Sequence, residues 1–334
     1  RWGWGKKRPP RRGWEGGESM GNRVERSIVS GLGSGIFYCL FDLTGAKFLW
    51  WSWHDTDAAI EARWLGVPLG STLWTIVHVF TFSLLVHMFI LTHPPPPSSS
   101  SAPKPSLTWE RFMAAILGVA VLNTPLMMLF LTPFQLHQLR FSLKPFFHLT
   151  QLPGKPDLIS LILVLVLSCL FLAYRKYRRS KQSQRTFTSS LPYTTFSPVP
   201  FWDRVLLFAI YGYIITLFLV MCLAEPGDVI AEGIHQPIGE CYIKEYDLSQ
   251  YPRFKYLCPK DFEEDFDFHC VSQDYSQSPP VVDSWFTICG KAHTNYVKFL
   301  GFLGGLGGIC MVFFTCLLNE KKKRGIGEIS TKSK

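Results

Sequence analysis

The sequence has little charge and few recognisable motifs. Asp, Glu, Lys and Arg make up 18% of its 334 residues, whereas soluble domains usually carry about a quarter. It lacks the H-E-x-x-H motif and repeated histidine boxes, which excludes the common zinc hydrolase and membrane di-iron patterns. No internal repeat is visible, which argues against a transporter built from two similar halves. We expect no nucleic-acid partner.

Hydrophobic residues are abundant, at 47% of the chain, with 27 Phe and 11 Trp. A membrane-spanning helix needs about 20 consecutive apolar residues. Six stretches meet this requirement: 28–51, 68–92, 112–132, 157–174, 204–223 and 297–318. The sequence therefore predicts an all-α fold, a polytopic membrane helix bundle of about six transmembrane helices. Glycines at 31, 33 and 35, and the G-x-x-x-G pairs within 301–308, predict close helix packing or an oligomer contact.

Basic residues between the spans predict the orientation of the bundle, because loops rich in Lys and Arg stay in the cytosol. The segment after the fourth span is basic throughout, and the residues near both termini are also basic. We therefore expect both termini in the cytosol, in either the ER or the plasma membrane. Such a cluster also favours contact with anionic lipids of the bilayer. Its members are Arg175, Lys176, Arg178, Arg179, Lys181 and Arg185.

The segment 224–296 differs from every other loop. It contains 13 acidic and 5 basic residues, a net charge of −8, and has no N-x-[ST] sequon. Four of its residues are cysteines: Cys241, Cys258, Cys270 and Cys289. Because the segment lies outside the cytosol in the predicted orientation, we expect two disulfides, with three pairings open. A zinc site is the alternative, but no C-x-x-C pair supports it. The acidic surface is a candidate site for a protein partner.

Five regions follow from these patterns. Residues 1–27 form a basic N-terminal region that we expect to be disordered, and 28–223 contain five spans. The acidic extracytosolic loop 224–296 precedes the last span, 297–318, and a basic cytosolic tail occupies 319–334.

A polar and aromatic cluster separates the first two spans. If residues 54–63 are helical, His54, Asp57 and Glu61 share one face. One imidazole and two carboxylates can bind a divalent metal, or act as acid and base on a polar head group. The structural alternative is that residues 55–57 cap a short helix and the neighbouring tryptophans form an interfacial belt. A non-catalytic ligand site is the third interpretation.

Three polar residues lie inside the spans: Asp42, Lys47 and His78. Ionisable groups are costly in hydrocarbon unless they are paired or face the bundle interior. Asp42 and Lys47 are five residues apart, an awkward spacing for a pair on one helix. We therefore also consider a partner for Asp42 on another helix, such as His78.

The stretch F-D-L-T-G-A-K-F-L-W-W-S-W-H-D-T-D, followed by R-W-L-G-V-P-L-G-S at 63–71, resembles a family of animal multi-pass membrane proteins that is known only as a domain of unknown function. The resemblance covers roughly residues 41–75. It implies a membrane protein and no particular activity.

The sequence leaves three functions open. The first is a non-enzymatic adaptor, trafficking or ligand-binding protein that acts through the acidic loop. The second is a lipid-modifying membrane enzyme that uses His54, Asp57 and Glu61. The third is a transporter or channel in which Asp42 and His78 line a path.

Overall fold

The computed structural model describes residues 19–53, 62–90, 109–132, 156–186, 201–234, 237–246, 252–258, 265–271 and 285–332. Six α-helices lie within them: α1 (Met20–Lys47), α2 (Leu69–Ile90), α3 (Trp109–Leu131), α4 (Pro156–Thr186), α5 (Phe201–Leu223) and α6 (Tyr296–Lys332). Each contains a stretch long and apolar enough to cross a membrane. The prediction of a six-helix multi-pass membrane protein is confirmed.

Three helices are longer than the spans predicted for them. Helix α1 begins at Met20, so residues 20–27, which we expected to be disordered, are helical; residues 1–18 lie outside the described part. Helix α4 continues to Thr186 and α6 to Lys332, both well beyond their apolar stretches. Hydropathy marks only the part of a helix that matches the membrane, so polar extensions escape it.

Helix α1 lies at the centre of the bundle, which explains how it tolerates polar residues. An added Cβ at Gly31 would lie 2.6 Å from the Ile76 carbonyl oxygen on α2, and one at Gly33 would lie 2.9 Å from the Phe313 ring on α6. The small residues of α1 therefore let two helices approach its backbone, as glycine faces do in membranes. Their prediction as a packing face is confirmed.

The glycines of α6 divide between two faces. An added Cβ at Gly307 would lie 2.9 Å from Ile214 of α5, and one at Gly304 would lie 3.3 Å from Phe218. Among the described residues, no atom lies within 4 Å of a Cβ added at Gly301, Gly305 or Gly308. Only one of these faces therefore packs against the described part of the chain.

Helices α2 and α3 run antiparallel, because Thr81 meets Asn123 while the later Phe89 lies against the earlier Gly118. Helices α5 and α6 also run antiparallel, because Tyr296 at the start of α6 meets Cys222 at the end of α5. Helix α1 begins where α4 ends, since Glu25 contacts Arg179. We call this the basic end, and the end where α1 stops the cap end.

The cap is the part of residues 224–295 that the structure describes. Its sheet has the order β3–β7–β6 and is antiparallel, with β3 (Ile230–Ile234), β6 (Phe266–Asp267) and β7 (Trp285–Gly290). A second pair joins β4 (Lys244–Tyr246) to β5 (Pro252–Phe254). Two disulfides form, as predicted, and the structure selects Cys241–Cys258 and Cys270–Cys289 among the three pairings.

Candidate functional site

Helix α1 ends in a turn that reverses the chain. Leu49 has a φ of 54°, in the left-handed region. The N–H groups of Leu49 and Trp50 donate to the carbonyl oxygens of Ala46 and Gly45, at 3.3 and 2.8 Å. These bonds form a Schellman motif, in which glycine usually takes the left-handed position. The turn lays the Trp51 ring against Gly45, where an added Cβ would lie 2.3 Å from the ring.

Asp42 is the polar centre of this turn and is fully buried. Its carboxylate accepts hydrogen bonds from Trp51 Nε1 at 2.9 Å and from Ser71 Oγ at 2.5 Å. Asp42 therefore has a partner on another helix, as considered from the sequence, but this partner is Ser71 of α2 and not His78, and Asp42 does not pair with Lys47. The reversing turn, which the sequence pattern does not signal, brings Trp51 back along α1. Asp42 joins the end of α1 to the start of α2.

The cap contacts the same end of α1 through Lys47 and Leu49. Lys47 Nζ lies 3.7 Å from the Asp265 carboxylate, and the two side chains are 8% and 24% exposed. Leu49, 8% exposed, completes the hydrophobic core of the cap with Leu257, Phe266 and two isoleucines. An ion pair from Lys47 and an apolar contact from Leu49, two positions later, thus hold the cap on the bundle.

A short hairpin fills the space between the cap and α6. Strands β1 (Arg63–Trp64) and β2 (Val67–Pro68) pair around Leu65 and Gly66, whose φ values of 48° and 88° are typical of a type I′ turn. An added Cβ at Gly66 would overlap the Asp265 carboxylate, at 1.3 Å. Trp64 packs edge-to-face on Phe302 of α6, with 5.2 Å between ring centroids. We call the end of α1, this hairpin and Asp265 the junction.

Positive charges outnumber negative charges around Asp265 at the junction. Burial raises the pKa of Asp265 above its ordinary value, although the nearby charges of Lys47, Lys291 and Arg63 lower it. Burial lowers the pKa of His293, and the charge of Lys47 lowers it further. Three cationic side chains therefore lie near one partly buried carboxylate, and they offset part of the cost of burying its charge.

The β4–β5 hairpin carries the most exposed aromatic side chains of the described cap. Tyr242 and Tyr246 are 63% and 69% exposed, and Ile243 between them is 37% exposed. Tyr242 packs edge-on against Phe254 of the opposite strand, at 6.1 Å between ring centroids. The Cys241–Cys258 disulfide closes the base of this hairpin. We call Tyr242, Ile243 and Tyr246 the tyrosine patch.

His78 belongs to a second polar group, between α2 and α3. Thr81 Oγ1 donates to Asn123 Oδ1 at 2.8 Å, and Asn123 Nδ2 lies 3.3 Å from each ring nitrogen of His78. Thr81 and Asn123 are buried, whereas His78 lies at the bundle surface. Interhelical bonds of this kind stabilise membrane helix pairs modestly.

The basic cluster of α4 has two faces. Both guanidinium nitrogens of Arg179 meet the Glu25 carboxylate, at 2.8 and 2.6 Å, and Arg175 contacts Glu25 and Asn22. These two arginines therefore hold α4 against α1 instead of facing lipid alone. Lys176, Arg178 and Lys181 are exposed, and the side chain of Arg185 lies outside the described part.

The candidate metal residues His54, Asp57 and Glu61 lie in 54–61, outside the described residues. Elsewhere in the described part, Asp267, His269 and Cys289 offer atoms within 4.8 Å of one another. Cys289 is bonded to Cys270, so its sulfur is no thiolate ligand. This group is better explained by Asp267 bonding the His269 ring.

Over residues 23–319 the sequence matches the model of a family described as a domain of unknown function, DUF7802. The chain belongs to this family. Comparison with curated proteins and comparison with solved structures each find no match. The resemblance at residues 41–75 is confirmed, and it extends to most of the chain. The DUF7802 match includes α1, the cap and the apolar part of α6, so bundle and cap belong to one family domain.

Several residues of the junction were not predicted from the sequence as members of a functional site. Ser71 and Asp265 are ordinary polar residues of a helix start and an acidic loop, and their roles depend on contacts distant in sequence. Gly66 offered the clearest signal, because a glycine between two apolar pairs is typical of a hairpin turn.

Proposed function

We propose that the chain is a non-enzymatic multi-pass membrane protein that binds a protein partner through the tyrosine patch of its cap. The observation that carries this proposal is the exposure of Tyr242 and Tyr246, 63% and 69%, on a hairpin closed by a disulfide. Tyrosine is enriched in protein interfaces because it offers a large apolar area and a polar group at low entropic cost.

The support of the hairpin favours a binding role. An isolated two-stranded hairpin is at best marginally stable in water. Here Ile238 and Leu257, at the foot of the hairpin, are buried in the cap core beside Leu49 of α1. The hairpin is therefore held in one position before any partner arrives, which reduces the entropy lost on binding.

Charge acts on the partner at long range. Because residues 224–296 carry a net charge of −8, a protein with an excess of basic residues would be attracted to the cap. The β4–β5 hairpin itself carries Lys244, Arg253 and Lys255 beside Glu245, so the surface that contacts the tyrosine patch would offer an apolar recess for one tyrosine ring, with basic residues outside it.

We infer that the cap lies outside the cytosol and that both termini lie inside it, in the ER or the plasma membrane. The basic end carries Arg175, Lys176, Arg178 and Arg179 on α4, and such residues favour the cytosolic side. Two disulfides in the cap suit an oxidising compartment. A membrane-impermeant cysteine reagent tests this inference after Tyr242→Cys or Lys298→Cys is introduced. In the plasma membrane, the new cysteine should react in intact cells; in the ER, it should react in sealed vesicles only after the membrane is opened.

Site-specific photocrosslinking tests the partner. A benzophenone amino acid replaces Tyr246 in the full chain in cells, and the matched control places it at Ile230, which is 61% exposed elsewhere on the cap. We expect one discrete protein adduct from position 246 and none from position 230. Tyr242→Ser should reduce the adduct at 246, because both tyrosines contribute to one surface.

Two results would overturn the proposal. Adducts with lipid alone would show that the tyrosines lie in the membrane interface, where such rings are also enriched. The same protein adducts from both positions would indicate unspecific neighbours of the cap.

A further inference from the structure

An apolar groove runs between α1, α2, α3 and α4 on the side of the bundle. Its volume is about 280 Å³, and it is partly open to the surroundings. Ile28, Val77, Phe80, Phe130, Leu167 and Phe171 line most of it. This volume is close to the lower end of the range of small-molecule sites, about 300–1,000 Å³. Its lining accepts an aliphatic chain and offers hardly any hydrogen bond.

The groove leads to the basic end along one face of α4. Val164, Ser168 and Phe171 line the groove, and Arg175 and Arg178 follow Phe171 at i+4 and i+7, which places all five on one stripe. At 1.5 Å per residue, Arg178 lies about 10 Å beyond Phe171 along the helix. The groove itself extends a similar distance from Phe171 to Val164, so groove and arginines together span roughly 21 Å, about two-thirds of the thickness of a bilayer core.

Positive charge is in excess where the stripe ends. Residues 19–28 and 172–181 together contain one acid, Glu25, and seven basic residues: Arg23, Arg26, Arg175, Lys176, Arg178, Arg179 and Lys181. Glu25 is already engaged by Arg175 and Arg179. Arg178 is exposed and lies over the Tyr174 ring, 5.9 Å from its centroid.

We propose that the groove and the arginine stripe bind one anionic phospholipid, whose acyl chain lies in the groove and whose phosphate contacts Arg178. A phosphate suits the planar guanidinium, which can donate two parallel hydrogen bonds. In the proposed orientation the site faces the cytosolic leaflet, which holds the anionic lipids. The site is independent of the partner proposed for the cap.

Native mass spectrometry of the purified full chain tests this proposal. The protein is titrated with palmitoyl-oleoyl phosphatidylserine and, separately, with the phosphatidylcholine of the same chains. We expect one phosphatidylserine to bind in preference to phosphatidylcholine. Arg178→Gln should weaken this binding about fivefold, the usual effect of one basic residue beside an anionic surface. Lys181→Gln is the matched control, because Lys181 also lies over a tyrosine four residues earlier, Tyr177 at 6.0 Å, but off the stripe.

A second pair of variants tests the acyl chain. Ser168→Phe places a ring in the groove and should weaken the binding of phosphatidylserine, whereas Leu170→Phe, at a position 61% exposed on another face, should not. Soluble glycerophosphoserine should fail to compete, because it has no acyl chain. Equal binding of both lipids would overturn the proposal. So would equal losses from Arg178→Gln and Lys181→Gln, which would show diffuse attraction, or competition by glycerophosphoserine, which would show a site for the head group alone.

Discussion

Replacing Leu49 tests whether α1 supports the cap. Leu49 is 8% exposed and packs with Leu257 and Phe266 in the cap core. Removing such a buried leucine side chain usually costs about 2–5 kcal/mol, the lost burial plus the cavity left behind. Because alanine has a Cβ, Leu49→Ala retains the strain of the left-handed conformation at φ 54° and loses the apolar contacts of the leucine side chain.

Leu49→Gly should be the milder change, contrary to the usual order of Ala and Gly. Glycine avoids the roughly 1–2 kcal/mol that an L-residue loses in the left-handed region. It also gains freedom in the unfolded chain, which costs about 0.4–1 kcal/mol. The difference leaves Leu49→Gly about 0.5–1 kcal/mol less destabilised than Leu49→Ala.

Amide hydrogen exchange of the purified protein measures this effect. The reporters are the Leu257 N–H, bonded to the Pro237 carbonyl, and the Gly290 N–H, bonded to the Val229 carbonyl. A loss of 2 kcal/mol lowers their protection about 30-fold. Ile230→Ala, in the same cap at 61% exposure, should change protection about twofold at most. Protection in Leu49→Ala within threefold of wild type, or lower protection in Leu49→Gly than in Leu49→Ala, would refute this reasoning.

Three other changes at the junction have expected outcomes. Gly66→Ala should abolish the native contact of cap and hairpin, seen as loss of protection at Gly290, because its Cβ would overlap Asp265. Asp265→Asn should destabilise the cap by about 3 kcal/mol, whereas Lys47→Met should cost about 1–2 kcal/mol, because Arg63 and Lys291 still lie near the Asp265 carboxylate when Lys47 is removed. The double variant should recover most of the loss. Equal losses from the two single variants, without recovery in the double variant, would contradict this. Burial lowers the pKa of His293 below 6.5 in the folded protein. The neutral imidazole therefore contributes its full stabilisation above pH 6.5, and this stabilisation is lost as the pH falls through the pKa of the folded state. Cap protection in wild type should therefore fall on acidification relative to His293→Gln, measured at each pH, and parallel curves would exclude a role for His293.

Hydropathy was enough to predict the six helices, because each must bury about 20 apolar residues in lipid. It placed the start of α1 too late, since residues 20–27 are polar and are held by contacts with α4 such as Glu25 with Arg179. Composition also predicted two disulfides in the acidic segment, but their pairing depends on how the strands of the cap meet.

The partners of Asp42 could not be predicted in the same way. The turn after α1 has Leu49 where a glycine would have signalled a left-handed cap. Without that turn, Trp51 would lie beyond reach of Asp42, and Lys47, although awkwardly spaced for a pair on one helix, would be the basic residue nearest to Asp42 in sequence. Lys47 instead pairs with Asp265, more than two hundred positions later in the chain, a contact that only tertiary structure determines.

Hydrogen exchange in native membranes tests most directly whether the tyrosine patch binds a protein there. Exchange is measured for the full chain labelled in its native membranes and then captured, and for the purified protein labelled alone. We expect slower exchange in membranes at the β4–β5 hairpin, including the Lys255 N–H that donates to the Ile243 carbonyl. Amides of the β3–β7 pair serve as the internal reference and should exchange equally in both samples. Equal exchange at the hairpin in both samples would contradict the claim.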